Sequence, residues 1–321
     1  MKSFRQFVIV CTVVGAALAT GAVAYASPAA GTFSVGERAR AVAHWTPERM
    51  RAAVPLESLA HAGKSASPAS SGPATSGPAT SGPASGRPVS ASATVPASFP
   101  HPGGPWPGGG SVSRTVGRVF AITHDNRDVW CTATAVTSVN KSTTMTAAHC
   151  VRYGGFYLAR WVFAPGYHQG VAPYGLWPAR RIMAMDNSGG SPNPVYDVGA
   201  GIVAPLNGRY LTDVVGGEGI TFNEPVIRDR YAFGYVVSAP YYGNWLAYCS
   251  GTTSSDPYGN PTLACTMGTG AGGGPWFVRF DEATGSGLLN SVTAVGSTTS
   301  RLVGAYFGEL ARTFYLTAQS S

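Results

Sequence analysis

Three short runs of the 321-residue chain carry residue types suited to chemistry, in the order histidine, aspartate, glycine-rich loop. The first is Thr146-Ala147-Ala148-His149-Cys150. A histidine there follows two small residues at the end of a strand-like run and is tied by an adjacent cysteine. Small residues let the backbone pack tightly beneath the ring. The second is Tyr196-Asp197-Val198-Gly199-Ala200-Gly201-Ile202-Val203. An aspartate opens an apolar run, so its carboxylate would be shielded and directional. The third runs from Cys265 through Gly268, Gly270, Gly272, Gly273 and Gly274 into Pro275-Trp276-Phe277. Histidine and aspartate are proton-transfer residue types. Each run also has a plainer reading. A histidine beside a cysteine is ordinarily structural, an aspartate can cap a turn, and glycines can form a flexible linker. A linker, however, rarely starts at a stapled cysteine and ends in an apolar strand.

Together the runs resemble the chymotrypsin-like (trypsin-like, S1) serine proteases, in particular their secreted bacterial members. The resemblance covers roughly residues 115–318. TAAHC and GAGGGPWF carry most of it, and DVGAGIV lies correctly between them. The segment 45–50, Trp-Thr-Pro-Glu-Arg-Met, is similar to the pre-domain region of such proteins. The resemblance implies that His149 is the general base and Asp197 the carboxylate that orients it. It implies that the amides of Gly270 and Gly272 form the oxyanion hole. It places Thr266 at the base of the primary pocket, with a later wall from the strand around Val292 to Gly296. No carboxylate stands at Thr266, so a preference for Lys or Arg is not supported.

The position of the nucleophile is Gly272, where the family has serine. Thr269 lies three positions early, and Ser286 and Ser291 lie beyond the following strand, so no shifted register supplies the hydroxyl. Acyl transfer by this mechanism needs a hydroxyl that the histidine can deprotonate and that can carry the acyl group. Without it, the hole and a held water retain about 10³–10⁴-fold acceleration over water, against a loss of order 10⁶ in turnover.

The elements that must position these residues read as β-structure. From about residue 112, short strand-like runs occur at 118–122, 131–136, 144–146, 198–203, 232–237, 275–279 and 288–295, bounded by turn residues. Helical periodicity is confined to about 310–318. That pattern means an all-β sandwich or barrel. The resemblance sharpens it to a chymotrypsin-like double β-barrel, two perpendicular barrels with the site between them and a short C-terminal helix.

The remainder divides into appendages. Residues 1–26 read as a signal peptide: Lys2 and Arg5, an apolar stretch over 7–18, then Ala24-Tyr25-Ala26 as a cleavage site. The apolar stretch falls short of the ~20 residues of a spanning helix, and no longer one follows. Residues 27–63 form a pre-domain segment with one helix, capped by Thr46, with Pro47 and Glu48 in its first turn and Met50, Ala53, Val54 and Leu56 on its apolar face. Residues 64–110 contain a short SGPAT repeat at 71–85 and read as a disordered, solvated linker, in which Trp106 is out of character. Residues 111–321 are the protease-like domain.

Charge and cysteine count narrow the function classes. The formal charge of +7 splits into +2 over residues 1–26, +3 over 27–100 (six basic, three acidic) and +2 over 101–321 (14 basic, 12 acidic). The domain is nearly neutral and its basic residues are scattered, which excludes a nucleic-acid footprint. After Cys11 leaves with the signal, Cys131, Cys150, Cys249 and Cys265 remain, an even number suited to an oxidising compartment. They allow three pairings; pairing neighbours gives Cys131–Cys150 and Cys249–Cys265. They lack the CxxC spacing of a zinc site, and no metal or cofactor is implied. The expectation is a secreted serine protease homologue that has lost catalysis and binds a peptide or protein in its cleft. An active endopeptidase using another nucleophile or water, and a cell-envelope module with the linker as spacer, are the competing readings.

Overall fold

The computed structural model describes residues 30–62, 99–185, 187, 190–298 and 300–321. The expected signal peptide, Cys11 and most of the expected linker lie outside these residues.

Two β-sheets carry the chain from residue 116 onward. In the first, Trp177–Ala184, Gly199–Val203, Thr143–Thr146, Asp128–Ala135, Val116–Ile122 and Ala159–Pro165 pair in that order. Ala159–Pro165 pairs back with Trp177–Ala184, closing a barrel of six strands. The short N-terminal strand Ala30–Thr32 adds to its rim through Trp177–Ala184. Every residue of Val116–Ile122 is buried, as a strand must be when its inner face fills a small barrel and its outer face is also covered. The second sheet runs Ser254–Ser255, Pro261–Ala264, Arg301–Tyr306, Ser286–Thr298, Pro275–Asp281, Asp229–Tyr235, Leu246–Thr252 and His101–Pro105. It curves as a half-barrel, the second unit of the chymotrypsin-like double β-barrel that the resemblance implied. A C-terminal helix, Glu309–Gln319, buries Ala311, Phe314, Tyr315 and Ala318.

Two disulfides staple these sheets. Cys131 is bonded to Cys150 and Cys249 to Cys265, with Cα separations of 5.9 and 5.8 Å. Each closes a short loop, worth about 3 kcal/mol in the chain-entropy account.

The N-terminal segment holds three helices rather than one. Ser34 caps α1 (Val35–His44) in a reciprocal capping box with Glu37. Thr46 and Pro47 start α2 (Pro47–Ala52) as the sequence suggests. The helix does not continue to Leu56. Pro55 disfavours helical backbone at Val54, and Val54–Pro55 instead pairs in parallel with Val129 and Trp130. A third helix, α3 (Leu56–Ala62), follows at once.

The stretch expected as linker also ends early. His101–Pro105 forms a strand against Leu246–Thr252. Trp106, out of place in a linker, packs edge-on against Phe233, Tyr248 and Phe280 at 5.2–5.6 Å. Main-chain pairing plus one half-buried aromatic gives this Pro/Gly-rich run enough contacts to dock, despite a composition that suggests a solvated chain. Among the described residues, no helix is long and apolar enough to cross a membrane.

Candidate active site

Neighbouring strands bring His149 and Asp197 together. His149 sits in the single turn Ala148–Cys150 that follows Thr143–Thr146, and Cys150 anchors that turn to Cys131 on the adjacent strand. Asp197 ends the turn Pro194–Tyr196 just before Gly199–Val203, which pairs with Thr143–Thr146 through Gly199 and Thr146. Gly199 is required there: a Cβ would lie 2.5 Å from the Ala147 carbonyl oxygen. Asp197 uses both oxygens on one residue. Oδ1 accepts the His149 backbone N–H at 2.9 Å and Oδ2 lies 2.8 Å from Nδ1. This fixes the ring and leaves Nε2 facing the glycine-rich loop.

That loop is fastened to the first barrel by main-chain bonds. The Thr132 N–H donates to the Gly272 carbonyl at 2.9 Å, and the Thr132 hydroxyl to the Gly270 carbonyl at 3.3 Å. Gly270 has φ +100° and lies against the Trp130 ring and 2.8 Å, at its would-be Cβ, from the Tyr235 carbonyl. Both conditions need glycine. Behind Trp130 lies Arg118, with its guanidinium carbon 4.0 Å from the indole centroid and 4.7 Å from the rings of Phe120 and Tyr167. It donates to the Gly243 carbonyl at 3.2 Å, and burial lowers its pKa to about 9.

Gly272 lies beside His149. A Cβ built on it would sit 2.6 Å from His149 Nε2 and would overlap Glu57 Oε1. Its backbone is outside the left-handed region. Glu57 arrives from α3, and sequence reading did not single it out. Its Oε2 accepts the Gly270 N–H, and its Oε1 is 3.8 Å from His149 Nε2. In sequence it is only an acid in the first turn of a short helix. The one signal was its place between Leu56 and Leu59, which are both buried.

The electrostatics follow from these contacts. Burial opposes a charge on His149, but the Asp197 and Glu57 carboxylates outweigh it and raise its pKa to about 10. The imidazolium contributes stability that is fully present below the unfolded value of about 6.5 and is lost as pH rises through the folded value. The His149 Cε1 proton should therefore titrate near pH 10 in a proton NMR experiment. Glu57→Gln removes one carboxylate, so the midpoint should fall by about one unit, the ordinary effect of one nearby charge. An unchanged midpoint would show that Glu57 does not act on the ring.

The remaining expected site residues lie on or beside strands of the second sheet. Thr266 is exposed and bonds to the strand at 101–105: its N–H donates to the Pro102 carbonyl at 2.7 Å and its hydroxyl lies 3.1 Å from the same oxygen. Val292 is fully buried in the core, and its strand, Ser286–Thr298, also contains Gly296. Cys131, His149 and Cys150 lie close enough to suggest three metal ligands. Their sulfurs are bonded to one another, so neither is a thiolate that could ligate.

No protein-family model matches the chain, and no curated protein does. Solved structures do. The protease Anisep from Arthrobacter nicotinovorans is 35% identical, with a TM-score of 0.60, over 65% of this chain and 96% of that one. The thermostable serine protease AL20 from an extremophilic microorganism is 32% identical, with a TM-score of 0.61, over 66% of this chain and 99% of that one. A Glu endopeptidase, 15% identical with a TM-score of 0.51, over 64% of this chain and 90% of that one, shares the fold. Two proteases matched over nearly their whole length, each about a third identical, place this chain in the family of serine proteases with the chymotrypsin/trypsin-like fold.

Proposed function

We propose that this protein is a secreted protease-family member without peptidase activity, whose cleft serves to bind rather than to cleave. In this reading His149 and Asp197 keep the places of base and orienting carboxylate. Gly270 and Gly272 keep the oxyanion-hole amides, and Gly272 leaves the nucleophile's place without a hydroxyl. The observation that carries it is the Glu57 carboxylate, which lies in the space beside His149 that a nucleophile's side chain would need. A negative charge on the Gly270 amide also opposes the developing oxyanion that such a hole exists to stabilise. The two disulfides support export to an oxidising compartment. Residues 27–63 then act as a pre-domain segment and 111–321 as the protease-like domain.

The test is a fluorophosphonate reaction with the wild-type chain, followed by intact mass spectrometry. No adduct is expected, and no cleavage of a mixed peptide substrate library. An adduct that His149→Ala abolishes would overturn the reading.

A further inference from the structure

We propose that the site is a receptor for the free C-terminal carboxylate of a peptide, which takes the seat now held by Glu57. The inference rests on the binding reading above and names the ligand's chemistry.

The site already holds a carboxylate. One oxygen of Glu57 accepts the Gly270 N–H, and the other faces His149 Nε2 at 3.8 Å. A main-chain donor and an imidazolium offer more to a fully charged group with two oxygens than to a neutral peptide carbonyl with one. Asp197 engages the other ring nitrogen, so the charge of His149 is directed toward this seat.

The seat exists because residue 272 has no side chain. Any Cβ there would overlap Glu57 Oε1. The same glycine that removes a nucleophile therefore makes room for a carboxylate, and every other residue would close the space.

The present occupant belongs to a helix of seven residues, α3. Leu56 and Leu59 flank Glu57 and are buried in the apolar cluster that includes Val129 and Cys131. Withdrawal of α3 would open apolar seats beside the carboxylate site. A peptide that ends in an apolar residue presents the same pair of features, an alkyl side chain next to a carboxylate. A chain terminus, unlike an internal bond, needs no room for residues beyond it.

Calorimetry on the full chain with Glu57→Ala tests this. The probe is an N-acetylated tetrapeptide ending in leucine, as the free acid and as the C-terminal amide. The acid should bind about tenfold tighter than the amide or better, the usual worth of a hydrogen bond to a charged group. Adding Gly272→Ala should abolish that preference. Wild type should bind the acid more weakly than Glu57→Ala does, because a tethered carboxylate competes at high effective concentration. Equal binding of acid and amide would overturn carboxylate recognition while leaving a binding cleft. Binding of neither peptide to the folded variant would overturn the inference also, with the loss of catalysis judged separately by the fluorophosphonate result. If Glu57→Ala does not fold, the wild-type His149 Cε1 resonance should shift with millimolar acid and not with amide. No shift would equally overturn it.

Discussion

Gly272→Ser alone should react poorly with a fluorophosphonate, whereas Gly272→Ser combined with Glu57→Ala should be labelled at the new serine. Restoring the hydroxyl is not sufficient, because its space is filled from two sides. A Cβ at 272 would lie 2.6 Å from His149 Nε2 and would overlap Glu57 Oε1. Glu57 Oε1 is the end of a flexible side chain and can withdraw, whereas Asp197 holds the His149 ring, so at that contact the loop itself must give. Glu57 would then have to give up the Gly270 N–H, a charge-assisted bond worth about 1.5–3 kcal/mol. Wherever the carboxylate lodges nearby, it still disfavours the anion that forms as phosphorus or carbonyl carbon is attacked. Alanine at 57 frees the hole and the Glu57 side of the space together. Recovering one oxyanion-hole donor is worth about 10²–10³ in rate, and the double variant should exceed the single one by that order. The φ at 272 adds no left-handed strain of its own. Equal labelling of the two variants would show that Glu57 is no barrier. A folded double variant that stays unlabelled would show that His149 and Asp197 are not poised to activate a hydroxyl.

The parts of this site that sequence reveals are those that each occupy one contiguous run. His149 comes with the disulfide cysteine Cys150 beside it, Asp197 leads into the strand that pairs next to it, and the glycines of the loop are forced by close backbone approach. Glu57 meets Gly270 across 213 residues and through a main-chain amide, so no side-chain pattern announces the contact. The break between α2 and α3 was readable at Pro55, but the apolar spacing of Met50, Ala53 and Leu56 mimics one continuous helical face. Residues 101–105 were lost to composition. Strand pairing is made by the main chain, and a Pro/Gly-rich run can still pair where its partner strand Leu246–Thr252 has a free edge. For Val292, family position says which strand the residue occupies. Its complete burial depends on how the sheet packs, which is not written locally.

Trp45→Ala should destabilise the protein by about 3–5 kcal/mol, the cost of emptying a large buried aromatic site. Trp45 joins α1 to α2 and is 2% exposed. Its ring packs on Phe120 of the first barrel at 5.3 Å between centroids, and its Nε1 donates to the Arg160 carbonyl at 2.8 Å. Ala41, Met50 and Ala53 share its core cluster with strand residues such as Val116 and Val162. The N-terminal segment is thus part of the barrel's packing, and alanine would leave both a cavity and an unmet carbonyl. At about 2–4 °C per kcal/mol for a domain of this size, the melting temperature should fall by roughly 6–20 °C. Trp45→Phe keeps most of the ring volume and loses the hydrogen bond, so it should cost much less, about 1–2 kcal/mol. The strand Val54–Pro55 connects α2 to α3, so loosening this anchor should also relax Glu57. The His149 titration midpoint of Trp45→Ala should then move down toward that of Glu57→Gln. A melting temperature within about 2 °C of wild type, less than 1 kcal/mol would cause, would mean that the segment merely lies on the barrel. Glu57 would then owe its place to the carboxylate seat alone.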